Sequence, residues 1–320
     1  MDGSGAELAE RLRARDVSAA PAVLNLVENR TAAAQEQAAA LLAAVSPTAL
    51  GDEAPAHIVG VTGPPGGGKS SLLSRLVAEW RGRERSVAVL AVDPTSRRSG
   101  GSLLGDRARI VFDPADKQVF IRSTAAGTRL GGLAPATRAA AAALAAAFDV
   151  VVIETVGVGQ SETEIADVAD SVAVVVQPGS GDVLQFLKAG IMEVPDVLVV
   201  TKADLGRIAI RALADLRSAL GSLGARDTAV VTVSSIAPPS GIDALVDALD
   251  AHRAGLDLPA RRARARRMHA FADFATEYGD RGVRALGGRR TGERLLGDLD
   301  PGLDVPALYA ALESAAAGEG

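Results

Sequence analysis

Residues 57–75 read HIVGVTGPPGGGKSSLLSR. An apolar run of strand length enters a glycine-rich turn, and a helical pattern, SLLSRLVAEW, leaves it. The turn from Gly63 to Ser70 fits G-x-x-x-x-G-K-[ST], a loop built to cradle phosphate. Glycines allow a tight curl whose amides point at phosphate oxygens, and the start of the following helix adds positive potential. The candidate ligands are Gly63, Pro65, Gly66, Gly67, Gly68, Lys69, Ser70 and Ser71. Lys69 is expected to reach the β and γ phosphates, and the Ser70 hydroxyl to ligate magnesium. A glycine-rich turn with a chance Lys-Ser is the alternative. The complete match in a strand-to-helix setting favours the phosphate loop.

Outward from this loop, from His57 to about His252, apolar runs (SVAVLAVD, VFIRS, FDVVVIET, SVAVVVQP, DVLVVTKAD, AVVTVSS) alternate with helical segments. That alternation predicts an α/β fold, a P-loop NTPase with a mostly parallel central sheet flanked by helices on both faces. The ligand edge then lies at the carboxyl ends of the strands. Residues 1–50 and 256–320 read as helical extensions, leaving 51–255 as the nucleotide domain. Hydrophobic residues make up 48% but aromatics only 3%, so the core must be built from Ala, Val, Leu and Ile. The chain has no Cys, which removes disulfide and thiolate chemistry and fits a reducing cytosol. No signal peptide opens it, and no run reaches the roughly 20 apolar residues of a membrane span. A cytoplasmic protein without a membrane partner is expected. The net charge of −5 gives no attraction to nucleic acid, which is not expected as a partner. The basic run RRARARR (261–267) is either a solvated helix face or a docking site for an acidic partner or nucleic acid.

Three further stretches bring chemistry to the same edge. AVDPTSRRSGGSLLGD (91–106) offers Asp93 and Asp106 to a metal, although each alone is an ordinary turn or cap residue. ETVGVGQSE (154–162) delivers Glu154, able to hold magnesium through water, and Gly157, whose amide can meet a γ-phosphate. VLVVTKADLG supplies Lys202 and Asp204. The Asp204 carboxylate accepts from the N1 and N2 donors of guanine, which adenine lacks, while the Lys202 stem covers the ring. Ser234, Ser235 and Ile236 then offer backbone amides to the guanine oxygen. Directly after Gly157, where Ras-like GTPases carry a water-orienting Gln, stands Val158, which has no hydrogen-bonding group. Slow hydrolysis of GTP to GDP follows, with Gln160 or a partner completing a site formed by Lys69, Glu154 and Gly157.

Phosphate loop, E-x-x-G and K-x-D in this order resemble the SIMIBI GTPases. The strings AVDPTSRRSGGSLLGD, ETVGVGQSE and PGSGDVLQFLKAGI are more narrowly similar to the MeaB/ArgK family, chaperones of adenosylcobalamin-dependent acyl-CoA mutases such as methylmalonyl-CoA mutase. The resemblance covers about residues 20 to 255. It implies GTP and GDP as ligands, magnesium on Ser70, Asp93, Asp106 and Glu154, an acyl-CoA mutase as partner, and a homodimer through the C-terminal helices. It also implies a segment that relays nucleotide state to the mutase, with Asp182, Gln185 and Lys188 as reporters; from residues alone, that segment is equally an ordinary amphipathic helix. Two departures stand out. Thr201 replaces the family's Asn before K-x-D, which predicts loss of an amide tying the base loop to the phosphate loop. Pro64, which makes a Pro64–Pro65 pair, and Gly67 depart from the family's GVPGVGKS, which alters loop stiffness rather than ligand type.

Two other activities compete. A metallochaperone GTPase would need Cys/His ligands, and His57, His252 and His269 are scattered along the chain. An ATP-using kinase conflicts with Asp204, which would set acceptors against adenine's acceptor edge.

Overall fold

The computed structural model describes residues 3–93, 109–125, 133–155, 164–179 and 195–318. The chain forms two compact units: Ala56–Ala141 with Phe148–Leu256, and Met1–Pro55 with Ala142–Ala147 and Asp257–Gly320. The leading segment carries helices α1 (Gly5–Arg13), α2 (Ala20–Glu28), α3 (Ala32–Ala44) and α4 (Pro47–Leu50). Ser4 and Glu7 start α1 with a reciprocal capping box.

The first unit holds the sheet. Its strands are β1 (His57–Thr62), β2 (Val87–Asp93), β3 (Val119–Ala125), β4 (Val150–Glu154), β5 (Ser171–Val176), β6 (Val197–Val200) and β7 (Ala229–Thr232). Their order is β3-β2-β4-β1-β5-β6-β7, and every pair is parallel. Continuous apolar strands suit this arrangement, because every residue of β1, β4, β5 and β6 is buried, whichever face of the sheet it is on. Helices α5 (Lys69–Gly82), α6 (Pro135–Leu144), α7 (Arg207–Ser222) and α8 (Ile242–Ala254) accompany the strands. Leu72, Leu76 and Trp80 of α5 pack on Val59, Val61 and Val152 in one core. Each such burial contributes about 1.5–3 kcal/mol, which fixes α5, and with it the loop it starts from, on the sheet.

The connections leave β1 towards β2 on one side and cross to β5 on the other, so the winding reverses at β1. Ligands bind at such a reversal, beyond the carboxyl ends of the strands. Gly63 and the phosphate-loop sequence follow β1 at this point.

At the opposite edge two of the three histidines, far apart in sequence, meet on one hydroxyl. Ser171 Oγ lies 2.8 Å from His57 Nε2 and 2.8 Å from His252 Nδ1, and His252 Nε2 lies 3.1 Å from Asp196 Oδ1. His57 is 1% exposed. Burial pushes its pKa below the ordinary 6.5, against the pull of Asp250 (3.6 Å) and Asp170 and alongside the repulsion of Arg253. The folded state therefore prefers neutral His57, whereas the unfolded chain takes up a proton near pH 6.5. Stability contributed by this preference is complete above that pH and is lost as pH falls below it. Denaturant unfolding at pH 7.5 and 5.5 should show lower stability at 5.5, with a slope of at most about 1.4 kcal/mol per pH unit from this one group. His57→Gln should flatten the slope; an unchanged slope would remove His57 as its source.

The second unit is helical, and it joins segments that the sequence reading kept apart. Helices α9 (Leu258–Ala285), α10 (Arg289–Asp298) and α11 (Val305–Ala317) surround Phe271, Phe274, Leu296, Leu308 and Leu312. Helix α3, too Ala-rich to bury its own surface, packs on α11, and Thr48 Oγ1 donates to Asp300 Oδ2 at 3.0 Å. The basic run contributes most of the pins. Arg262 donates to the Ala54 carbonyl (2.7 Å), and Arg266 grips Glu53 through both terminal nitrogens (3.1 and 2.7 Å). Arg267 reaches the carbonyls of Gly297 (3.2 Å) and Leu299 (3.1 Å). These three guanidinium groups hold the unit together, while Arg264 of the same run is exposed.

Candidate functional site

The loop from Gly63 to Gly68 is shaped by backbone that side chains would forbid. Gly63 has φ +140°, and a Cβ there would stand 2.5 Å from the Val175 carbonyl oxygen. Gly68, at φ +92°, sets the N-terminus of α5. The loop's carbonyls are taken up by side-chain donors. Lys69 Nζ donates to Gly63 O (2.7 Å) and Pro64 O (3.2 Å), Lys202 Nζ to Gly66 O (3.1 Å), and Thr201 Oγ1 to Gly67 O (2.7 Å). The amides of the first turn of α5, from Lys69 to Ser71, have no acceptor within their own helix. Carbonyls held by protein donors and amides at a helix start make an anion site. Lys69 is only 7% exposed, with its charge inside the loop.

The neighbouring strand brings the carboxylate. Glu154 ends β4 opposite Val61 of β1 and Ala91 of β2, and is 3% exposed. It continues the alternation of Val150 and Val152, which face α5, so it lies on the side where α5 starts. Thr155 Oγ1 donates to Thr62 Oγ1 at 2.8 Å and Thr155 N to Val61 O at 3.1 Å, which fastens the ends of β4 and β1 together. A half-buried Ser70 hydroxyl and the Glu154 carboxylate are oxygen donors of the type a hard cation such as magnesium takes. The backbone of Asp93 closes β2 beside β4. Asp106, Gly157, Gln160, Asp182, Gln185 and Lys188 lie outside the described residues. Among the described residues, no group of three or more His, Cys, Asp or Glu gathers to hold a metal.

The residues expected to read the base follow β6 and β7. Lys202 adopts the left-handed conformation (φ +54°), and Asp204 is exposed in the short turn Ala203–Leu205. Ser234 Oγ donates to Asp204 Oδ1 at 2.8 Å and accepts from Ile236 N at 3.3 Å. Thus Ser234 acts through its hydroxyl, orienting Asp204, a role the sequence reading did not give it. Ile236, 62% exposed, adds an apolar surface beside them. Two ties are new. The loss of contact expected from Thr201 does not occur: the residue is 3% exposed, and its hydroxyl reaches the phosphate loop in place of an Asn amide. Arg75 of α5 donates from Nε to the Ser235 carbonyl at 2.9 Å. Nothing in the local pattern SLLSRLV singles out that arginine, because its partner stands far along the chain.

The chain is similar to several known proteins. The family model described as methylmalonyl Co-A mutase-associated GTPase MeaB matches residues 20–280. A Pyrococcus abyssi protein named as a GTPase is 41% identical over 277 residues, 84% of this chain and 82% of its own. The mitochondrial methylmalonic aciduria type A homolog of Caenorhabditis elegans is 45% identical over 148 residues, 46% of this chain and 37% of its own. The crystal structure of a LAO/AO transport system kinase aligns over 97% of this chain and 96% of its own, with a TM-score of 0.64 and 28% identity. Among the described residues no helix is long and apolar enough to cross a membrane.

Proposed function

The chain belongs to the MeaB family of GTPases, and we propose that it is a magnesium-dependent chaperone of an adenosylcobalamin-dependent acyl-CoA mutase. In this reading GTP lies with its phosphates on the Gly63–Ser71 amides and Lys69, and its base on Asp204, Lys202 and the loop Ser234–Ile236. Ser70 and Glu154, with Asp93 and Asp106, hold magnesium, which when bound neutralises charge building up on the β and γ phosphates. Lys69 shares that work, and the Gly157 amide meets the γ-phosphate. The observation that supports this best is the adjacency of β4 to β1, which brings Glu154 beside the phosphate loop.

Val158 leaves the attacking water without a side chain to orient it at that position, so unassisted turnover is slow. A partner that repositions Gln160 turns such a site into a timer, and Asp182, Gln185 and Lys188 are its proposed reporters. The mutase partner rests on the description of the family and on the name of the nematode relative. The site's hydrolysis then gates loading of the mutase cofactor or its release. A second copy of the chain, paired through the C-terminal helices, belongs to the same proposal, as does a cytoplasmic location.

The test is GTP turnover by the purified protein, alone and with purified methylmalonyl-CoA mutase. Stimulation of roughly ten-fold or more is expected, modest beside the 10³–10⁵ that GTPase activators reach. Turnover unchanged at saturating mutase, with no complex on size exclusion in GDP or in a non-hydrolysable GTP analogue, would overturn the partner assignment.

A further inference from the structure

We propose that Ser123 is a positioning residue of the magnesium site, its hydroxyl holding a water of the metal's shell across the sheet from Glu154. The inference rests on the proposed reading of Ser70 and Glu154 as magnesium ligands. Among the described residues, three buried side-chain atoms lack a hydrogen-bond partner: Ser123 Oγ, Arg266 Nε and Arg267 Nε. Both arginines bond through their terminal nitrogens. Ser123 has no other polar side-chain atom, so its whole hydrogen-bonding capacity is unused.

The strand itself has no need of that hydroxyl. Val119 and Ile121 of β3 pack into the core shared with α5, whereas Thr124 turns to the other face and accepts from Thr137 of α6 at 3.2 Å. Ser123 therefore stands on the α5 face, which is also the face of Glu154. Alanine would fill the place without burying a polar atom. The register decides what lies beside it. Ser123 is opposite Ala91 of β2, and Ala91 is opposite Glu154 of β4, so the three form one row across the sheet. Between the carboxylate and the hydroxyl β2 places only a methyl group. Neighbouring strands stand about 4.8 Å apart, which sets the backbones of Ser123 and Glu154 about 9.6 Å apart. With both side chains rising from the sheet, that is a span for ordered water rather than for direct contact, and magnesium characteristically keeps several of its waters. Other hydroxyls near this edge are committed within the protein. Thr155 donates to Thr62 at 2.8 Å, and Ser74 accepts from Val111 N at 2.9 Å and donates to Ser70 O at 2.9 Å. A buried hydroxyl left over beside such a set is explained by a water or ion that completes it.

Removing the hydroxyl should therefore harm the magnesium complex and not the fold. The experiment is calorimetric titration of the full chain with GDP, in magnesium and in EDTA, together with thermal unfolding of the protein alone. The ratio of the two affinities reads the metal's contribution. In Ser123→Ala that ratio should fall roughly five-fold, the scale of one lost hydrogen bond, while GDP affinity in EDTA stays within about two-fold of the parent. The unfolding temperature should equal the parent's or exceed it, because an unpaired buried group has been removed. Ser123→Thr keeps the hydroxyl on a β-branched side chain that suits a strand, and should hold the ratio to within about two-fold. An unchanged ratio in Ser123→Ala, equal losses in magnesium and EDTA, unfolding lowered by more than about 4 °C, or a threonine variant as weak as alanine would overturn the proposal. Glu154→Gln in the same titrations separates the two levels. If it keeps the parent's ratio, the magnesium reading itself fails; if it abolishes the magnesium gain while Ser123→Ala keeps it, only the role of Ser123 fails.

Discussion

Replacing Lys69 by alanine is expected to abolish tight nucleotide binding, raising the Kd for GDP and for a GTP analogue by roughly 10²–10⁴-fold. The argument is electrostatic. Lys69 is 7% exposed and holds its ammonium inside the loop on the carbonyls of Gly63 and Pro64. A cation already desolvated and oriented loses little more on meeting phosphate, and each charge-assisted bond to a phosphate oxygen is worth about 1.5–3 kcal/mol. Two phosphates within its reach give the stated range. Alanine also removes the buried stem and leaves a cavity, so a second variant keeps the test clean. Lys69→Met retains the buried stem and should bind as poorly as alanine, with thermal unfolding close to the parent. Affinity within about three-fold of the parent in both variants would overturn the assignment of 63–71 as the phosphate site.

What the sequence made legible follows from how local each feature is. The phosphate loop is a contiguous string whose glycines act through their own backbone, and Gly63 and Gly68 have the positive φ that the pattern requires. The strands were legible as unbroken apolar runs, because burial on both faces erases alternation, as in β4 and β5. Contacts between distant positions were not legible. Thr201 was read as a lost amide because a hydroxyl's reach depends on how closely β6 approaches the phosphate loop, and the bond to Gly67 spans 134 positions. Arg75 lies 160 positions from Ser235 and looks like any polar face residue of an amphipathic helix. The three pinning arginines of the basic run were hidden for a related reason: charge is visible in a string, but their partners are Glu53 and backbone carbonyls supplied by other segments. His57 and His252 looked scattered for the same reason, until β1, β5 and α8 brought both rings to Ser171.

Replacing Asp204 by asparagine should invert base preference rather than merely weaken binding. Guanine offers two donors, N1–H and the 2-amino group, and a carboxylate oxygen facing them can only accept. In the structure Asp204 is exposed, and its Oδ1 already accepts from Ser234 Oγ at 2.8 Å, which leaves the other oxygen, Oδ2, to meet the base in the proposed site. Asparagine keeps the Ser234 bond by presenting its carbonyl oxygen there, so its amide nitrogen takes the place of Oδ2. That nitrogen donates and meets the 2-amino group of guanine donor to donor. GDP affinity should fall by roughly 10²-fold or more, the scale on which a site rejects a ligand that leaves its polar groups mismatched. Xanthine carries an oxygen where guanine carries the 2-amino group, so xanthosine diphosphate should gain as guanosine diphosphate loses. Calorimetry on the parent and the variant with both nucleotides measures the inversion directly. A variant that binds both more weakly, with their ratio unchanged, would mean that Asp204 supports the loop without reading the base. Ser234→Ala then discriminates within the site: without the hydroxyl that fixes Oδ1, the Asp204→Asn side chain is free to flip its amide, and the preference for xanthine should shrink while ADP binding stays where it was.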